Sequence, residues 1–391
     1  MPHHTESEAG RRRRAAVPIL QNAFRPFFLA AGLTAAAAVP VWAAVYLGWM
    51  SPSWADLSMH THEMLYGFLA AMVCGFALTA IPNWTGRAPV AGLPLAILFG
   101  IWLAGRGQVI APDSPMANLV DLVFLPSLVL IAAREILAGK NWRNLPIVVL
   151  LTLFAASHLL FHLDGYAQVA ARGTLAVASL LIALIGGRIV PSFTRNWMAG
   201  LRMPDVAKLP APMQGFDKVA LAALAVSMAA FTLRPDHAGT GILLVLAGAL
   251  NLVRLVRWRG MSTVSEPLVW SLHAGYLWVG AGAVLAGLGV VWPGLVPPSA
   301  GLHALAAGAV GSMGLAVMTR ASLGHTGRSR SAGPATTAIF VLVHAGALLR
   351  VAAAIHAPAS VLLAAGALAW SAAFLLFVAV YTPILFGPRA T

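Results

Sequence analysis

Charged side chains are scarce in this sequence. Of its 391 residues 9% are charged and 59% are hydrophobic, whereas a soluble protein carries about a quarter charged. That supply cannot cover a water-facing surface, so the excess apolar surface must face lipid. Acids are scarcer than bases: 12 Asp and Glu stand against 25 Lys and Arg, a formal charge of +13. The basic residues sit between apolar runs and build no basic face interleaved with aromatics, so no nucleic-acid partner is expected. Cysteine is nearly absent. The single Cys74 lies inside an apolar run, which excludes a disulfide framework, a CxxC redox pair and a CxxCH attachment. Any metal must therefore be held by His, carboxylate, Met or backbone oxygen. No cleavable leader is expected either, because polar residues with Arg11–Arg14 lead directly into a full-length apolar segment.

Long apolar runs are what the chain has in quantity. A hydrocarbon core about 30 Å thick takes roughly 20 apolar residues per helix. On that measure the chain reads as an all-α polytopic membrane protein of about twelve spans. They fall near 25–49, 57–81, 93–111, 117–137, 145–163, 166–190, 216–233, 239–256, 267–291, 300–320, 335–356 and 358–381. The expected organisation is a basic tail over 1–21, one twelve-helix membrane domain over 22–385 and a short tail over 386–391. The longest connection, about 191–215, is too short for a further domain. Loop charge sets the orientation. With the N-terminus in the cytoplasm, twenty basic residues, from Arg11–Arg14 through Arg87, Lys140, Arg257 and Arg328 to Arg389, fall inside, and Arg234 alone falls outside. Both termini are then cytoplasmic.

A weak internal repeat accompanies this pattern. Span 2 reads His62, Met72 and Thr85-Gly86-Arg87; span 10 reads His303, Met313 and Thr326-Gly327-Arg328, each offset by 241. Span 6 leaves through Pro191-Ser192-Phe193-Thr194, echoing Pro82-Asn83-Trp84-Thr85. Spans 2, 6 and 10 are four apart, which fits three arcs of four helices. Chance matches among Ala- and Gly-rich helices are the alternative.

An ionisable group inside lipid costs several kcal/mol, so each one is a functional candidate. His60 and His62 open span 2, His158 and His162 lie near the end of span 5, and His303 opens span 10. Arg106, Arg172 and Arg350 share that depth, as do Glu63 and Asp121. Together they describe a polar compartment in the outer leaflet. Imidazole is a common ligand for haem iron and copper; guanidinium suits paired carboxylates. The bland alternative is that each His or Arg near a helix end snorkels or bonds a carbonyl, and for His356 and His344 that reading is favoured. His60 and His62 are two apart, about 200° around a helix, so both face one metal only if His60 precedes the helix proper. His158 and His162 are four apart on one face, as a metal pair or with His162 alone binding. Glu63 can orient an imidazole, carry protons or cap span 2 at the helix dipole. Met59 and Met64 are weak candidates. The segment from Thr319 to Arg328 can be an anion site or a topology anchor.

The stretch His60-Thr61-His62-Glu63-Met64-Leu65-Tyr66-Gly67, followed by Ile81-Pro82-Asn83-Trp84-Thr85-Gly86-Arg87, resembles the NnrS family. So do Asn22-Ala23-Phe24-Arg25-Pro26-Phe27-Phe28, Gly186-Gly187-Arg188-Ile189-Val190-Pro191-Ser192-Phe193-Thr194 and the stretch from His303 to Arg328. The resemblance runs over about 22–385. It implies a bacterial inner-membrane protein containing haem and copper, linked to nitric oxide metabolism and resistance to nitrosative stress. A more distant likeness is to the catalytic subunit of haem–copper oxidases, where histidines on helices 2 and 10 clasp a haem. The matching positions here are His62 and His303. The chain departs from that pattern in having no His in span 6, no His-His pair in span 7 and one His in span 10.

These likenesses imply haem b held by His62 and His303, with Arg106, Arg172 or Arg350 on its propionates, and Glu63 assisting proton movement. A second metal, copper, would use His60, His158 and His162. Whether the chain is an enzyme stays open at this point. A nitric oxide reductase-like oxidoreductase would draw electrons from a quinol or redox protein. The alternatives are a metal or small-molecule permease and a non-catalytic NO-responsive sensor.

Overall fold

A computed structural model describes residues 17–109, 111, 114–201, 209–356 and 359–390. The basic run Arg11–Arg14, and Arg202 and Lys208, lie outside the described residues. Among the described residues there is no strand, and twelve helical rods carry the chain back and forth. They are α1 (Phe24–Tyr46), α2 (Leu57–Thr85), α3 (Leu93–Val109), α4 (Pro115–Ala138), α5 (Leu145–Phe161), α6 (Ala167–Gly200), α7 (Gly215–Leu233), α8 (Ala238–Val256), α9 (Pro267–Val291), α10 (Pro298–His325), α11 (Pro334–Ile355) and α12 (Ala359–Phe386). Eleven are long and apolar enough to cross a membrane, and α3 is shorter. The chain is a multi-pass membrane protein.

Three rods stand apart from the rest. α2, α6 and α10 bury 78%, 67% and 72% of their most apolar stretch, against 28–56% for the other long helices. They touch one another and form the centre. Around them α3, α4 and α5 pack in sequence, then α7, α8 and α9, then α11, α12 and α1. This is the threefold grouping that the four-span spacing suggested. The central rods also run beyond their expected ends, to Thr85, Gly200 and His325. Apolar length underestimates them because their final turns carry polar residues, such as Asn83, Arg195, Asn196 and Ser322, that continue the helix past the apolar run. Prolines 82 and 191 lie inside helices there, as bundle interiors tolerate.

Each central rod contains a widened π-helical stretch: Glu63–Leu69, Ile182–Gly186 and Ala304–Gly311. A π turn loosens the backbone ladder, and side chains meet a carbonyl in each. Trp102 Nε1 donates to Gly67 O at 3.1 Å, Arg254 Nη1 to Ala183 O at 3.0 Å, and Ser312 Oγ to Gly308 O. The stretches in α2 and α10 begin at residues 63 and 304, directly after His62 and His303 and again 241 apart. Both rods stop on a left-handed glycine, Gly86 at φ 69° and Gly327 at φ 77°, the helix-ending conformation glycine adopts without strain. The repeat is therefore physical: histidine, widened turn, methionine, glycine stop.

Small residues set the outer packing. A Cβ on Gly248 of α8 would lie 2.6 Å from Gly280 O of α9, so those backbones approach as closely as membrane helices do. Arg25, fully buried at the start of α1, donates through Nη1 to Leu385 O (2.6 Å) and Gly387 O (2.8 Å), tying α1 to the end of α12.

Candidate metal centre

α2 and α10 begin, and α3, α5 and α11 finish, at one end of the bundle, and the candidate residues gather there. On α5 the buried positions Ile147, Leu151, Phe154 and His158 recur at four, three and four, one helical face turned to the interior. His162 follows one turn later. That face meets α2 at the turn where His62 precedes the π stretch, and it meets Asp121 in the second turn of α4. Four ligand atoms, one each from His62, Asp121, His158 and His162, lie within 4.8 Å of one another.

The geometry is convergent. Asp121 Oδ2 lies 3.0 Å from His62 Nε2, 2.9 Å from His158 Nε2 and 3.7 Å from His162 Nε2. His62 Nε2 and His158 Nε2 are 3.2 Å apart. Asp121 is 1% exposed, His158 2% and His62 3%, so bulk water does not screen the group. His162 Nε2 is buried without a hydrogen-bond partner.

A second layer holds these side chains. His62 Nδ1 is 3.1 Å from Glu63 Oε1 and 2.5 Å from Gln108 Nε2. An Nδ1–H donated to Glu63, with the Gln108 amide turned to present its oxygen, leaves the Nε2 lone pair for a ligand, the usual arrangement behind a metal-bound histidine. Arg106 bridges both acids, with Nη1 2.8 Å from Glu63 Oε1 and Nη2 on Asp121 Oδ1. Its guanidinium lies 5.5 Å from the Trp102 ring. Tyr66 stacks on His158 at 4.1 Å between centroids, and its hydroxyl reaches Ser157 O (3.1 Å) and Thr174 Oγ1 (3.0 Å). The group therefore contains two carboxylates, one guanidinium and three imidazoles. One carboxylate charge is balanced by no Lys or Arg within it, which suits a cation. Nitrogen donors with one carboxylate suit copper, zinc or non-haem iron.

The remaining candidates fall elsewhere. His60 points away from His62, its ring stacked on Trp42 of α1 at 5.2 Å. It lies near His303 and Arg350, and its Nδ1 is buried and unpartnered. His303 Nδ1 is 2.8 Å from Ser299 O, and no hydrogen bond, ion pair or ring contact joins His303 to the four-residue group. The expected pairing of His62 with His303 is thus not a contact here; His60 is the neighbour of His303. Arg172 stands apart from both groups, near Asp236 in the α7–α8 connection. His344 accepts from Trp278 Nε1 at 3.1 Å, and His273 pairs with Thr194 Oγ1 at 2.7 Å.

In the sequence Asp121 stands out only as an acid inside an apolar span, and nothing in its spacing marks it as a ligand. Gln108 carries no signal, and Tyr66 only its place one turn from His62. A second buried polar network is equally silent in the sequence. Arg254, at the basic inner end of α8, is fully buried, with Nε 2.9 Å from Asp217 Oδ1 and Nη1 2.8 Å from Tyr276 Oη.

A family model described as "NnrS protein" matches residues 18–389. The chain belongs to the NnrS family. No curated protein matches it. Membership suggests a role in nitric oxide metabolism, and the four-residue group gives this NnrS chain a candidate metal site.

Proposed function

We propose that this NnrS chain is a metal-dependent protein of nitric oxide metabolism in a bacterial inner membrane, with N- and C-termini cytoplasmic. One observation carries the reading: three imidazole nitrogens and a carboxylate oxygen converge within 4.8 Å inside a membrane bundle. His162 Nε2 is buried with no hydrogen-bond partner, and a cation shared by the four residues would give it one, as buried polar groups require. We assign copper to His62, Asp121, His158 and His162. When bound, copper supplies a one-electron couple and a coordination position for NO.

The chain's own residues prepare that position. Glu63 holds the His62 ring so that Nε2 faces inward. Arg106 keeps both carboxylates in place. Tyr66 walls the group toward the membrane interior. Glu63, in contact with the His62 ring, is also the carboxylate placed to exchange a proton with it.

Haem b fits the second histidine pair in donor chemistry. The buried, unpartnered Nδ1 of His60 and the neighbouring His303 ring would hold the iron, and the Arg350 cation nearby would pair with a propionate. Haem there supplies a second redox centre, with a quinol or redox protein as electron donor. Reduction of NO is the activity this pairing supports.

Anaerobic NO consumption by the purified chain with a chemical reductant tests the reading. We expect consumption that disappears in His158→Ala. Intact metal binding with no consumption in the wild-type chain would instead make it a sensor. A permease is disfavoured because the metal group sits at the end of α5 and the start of α2, whereas transporter sites lie near mid-membrane.

A further inference from the structure

Below the metal group, α2, α5, α6 and α10 line a cavity of about 80 Å³ that opens on the side of the bundle. Met72, Leu151, Ile182, Val310 and Met313 are among its walls, and every lining residue is apolar or glycine. We infer that this cavity binds an uncharged, gas-sized apolar molecule drawn from the bilayer and delivers it to the metal group; that the molecule is NO rests on the function proposed above.

Size and chemistry select the occupant. A wholly apolar cavity of roughly 150 Å³ stays dry and takes benzene or xenon. One of about half that volume takes xenon or a diatomic gas, and it offers no partner to water, ions or polar metabolites. Its walls are partly exposed at Val73, Phe76, Ile185 and Ile189. Val73, Phe76 and Ile185 lie within apolar spans, where the surroundings are hydrocarbon, and Ile189 lies at the inner end of its span. Apolar gases concentrate in that medium.

Two helix faces connect the cavity to the metal group. Ile147 and Leu151 line it, and Phe154 and His158 continue the same buried face of α5. Leu151 and His158 are seven residues apart, about 10 Å along the axis at 1.5 Å per residue. On α2, Met72 lines the cavity and His62 stands ten residues earlier. On these two faces the rings of Phe154 and Tyr66, 6.0 Å apart, stand between cavity and metal group. A diatomic passes when such rings rotate; a larger solute does not. The π stretches of α6 and α10 both contribute walls, through Ile182, Ile185 and Val310, so the irregular backbone of the central rods has a use here.

Xenon is the probe. Full-length protein in nanodiscs should give a saturable xenon site by ¹²⁹Xe NMR that is lost in Val310→Phe, which fills the cavity without touching the metal group. Stopped-flow NO binding at the reduced metal group should slow by about tenfold in that variant, with metal content unchanged. No saturable xenon signal in the wild type, as when a lipid chain fills the space, overturns the cavity, and an undiminished NO rate overturns delivery. Ala77→Leu repeats the comparison should Val310→Phe fail to fold. If the chain proves to bind no metal, the proposed function fails while the xenon measurement still decides the cavity.

Discussion

Asp121 is the residue on which the metal group turns. Its Oδ2 faces three imidazole nitrogens while its Oδ1 takes Arg106, so one side chain joins the ligands to their support. Asp121→Asn keeps the shape and removes the charge. Metal content by mass spectrometry should drop to near zero in that variant. Glu63→Gln leaves all four ligands and weakens only their support, the contacts of Glu63 with His62 and Arg106, and losses at such outer positions are typically 10–100-fold in affinity. A competition titration with a chelator should therefore rank Asp121→Asn far below Glu63→Gln, and Glu63→Gln below wild type. Equal affinities for all three would mean that the cluster is a packing feature. His303→Ala should leave the metal at Asp121 untouched, because no contact links the two.

At the scale of elements the π stretches matter most. Gly67 lies inside the first of them, and a Cβ there would come within 2.6 Å of Arg106 Nη1 and 2.8 Å of Glu63 Oε2. Gly67→Ala should displace Arg106 and lower metal occupancy while the chain still folds. Gly308 occupies the corresponding stretch of α10, where a Cβ would stand 2.4 Å from the Trp278 ring. Overpacking of this kind costs about 1–3 kcal/mol, so Gly308→Ala should lower the thermal midpoint without altering the metal. These stretches also explain what the sequence could and could not disclose. Twelve helices were legible, eleven of them long enough to cross a membrane, because apolar length is a direct consequence of bilayer thickness. His60 and His62 were legible as pointing apart, since two residues turn a helix by about 200°. Which of them meets His303 was not, because that depends on rotation of α2 against α1 and α5. Asp121 was visible as an acid in an apolar helix, but its partners come from 37 and 59 residues away in sequence, and no spacing rule relates them.

For the whole molecule, the buried network around Arg254 links the second helix group to the centre. It pairs Asp217 of α7 with Arg254 of α8, reaches Tyr276 of α9 and takes the Ala183 carbonyl of α6. Arg254→Ala would strand Asp217, and breaking a buried pair in this way costs about 3–5 kcal/mol. Loss of folded protein from the membrane fraction, assessed by size-exclusion profile, is the expected result. Orientation can be read from cysteine labelling, since the one native thiol, Cys74, is fully buried. In a Cys74→Ala background, Asp236→Cys should react with an impermeant maleimide on intact cells, and Lys140→Cys only after the cells are opened. The reverse pattern would invert the molecule and place the metal group on the cytoplasmic side. The most direct measurement is X-ray absorption at the metal edge on purified protein, wild type beside His158→Ala. One metal per chain with nitrogen and oxygen neighbours and about three imidazoles, lost in the variant, is the expected outcome. Full occupancy and an unchanged spectrum in His158→Ala would contradict a metal centre at His62, Asp121, His158 and His162.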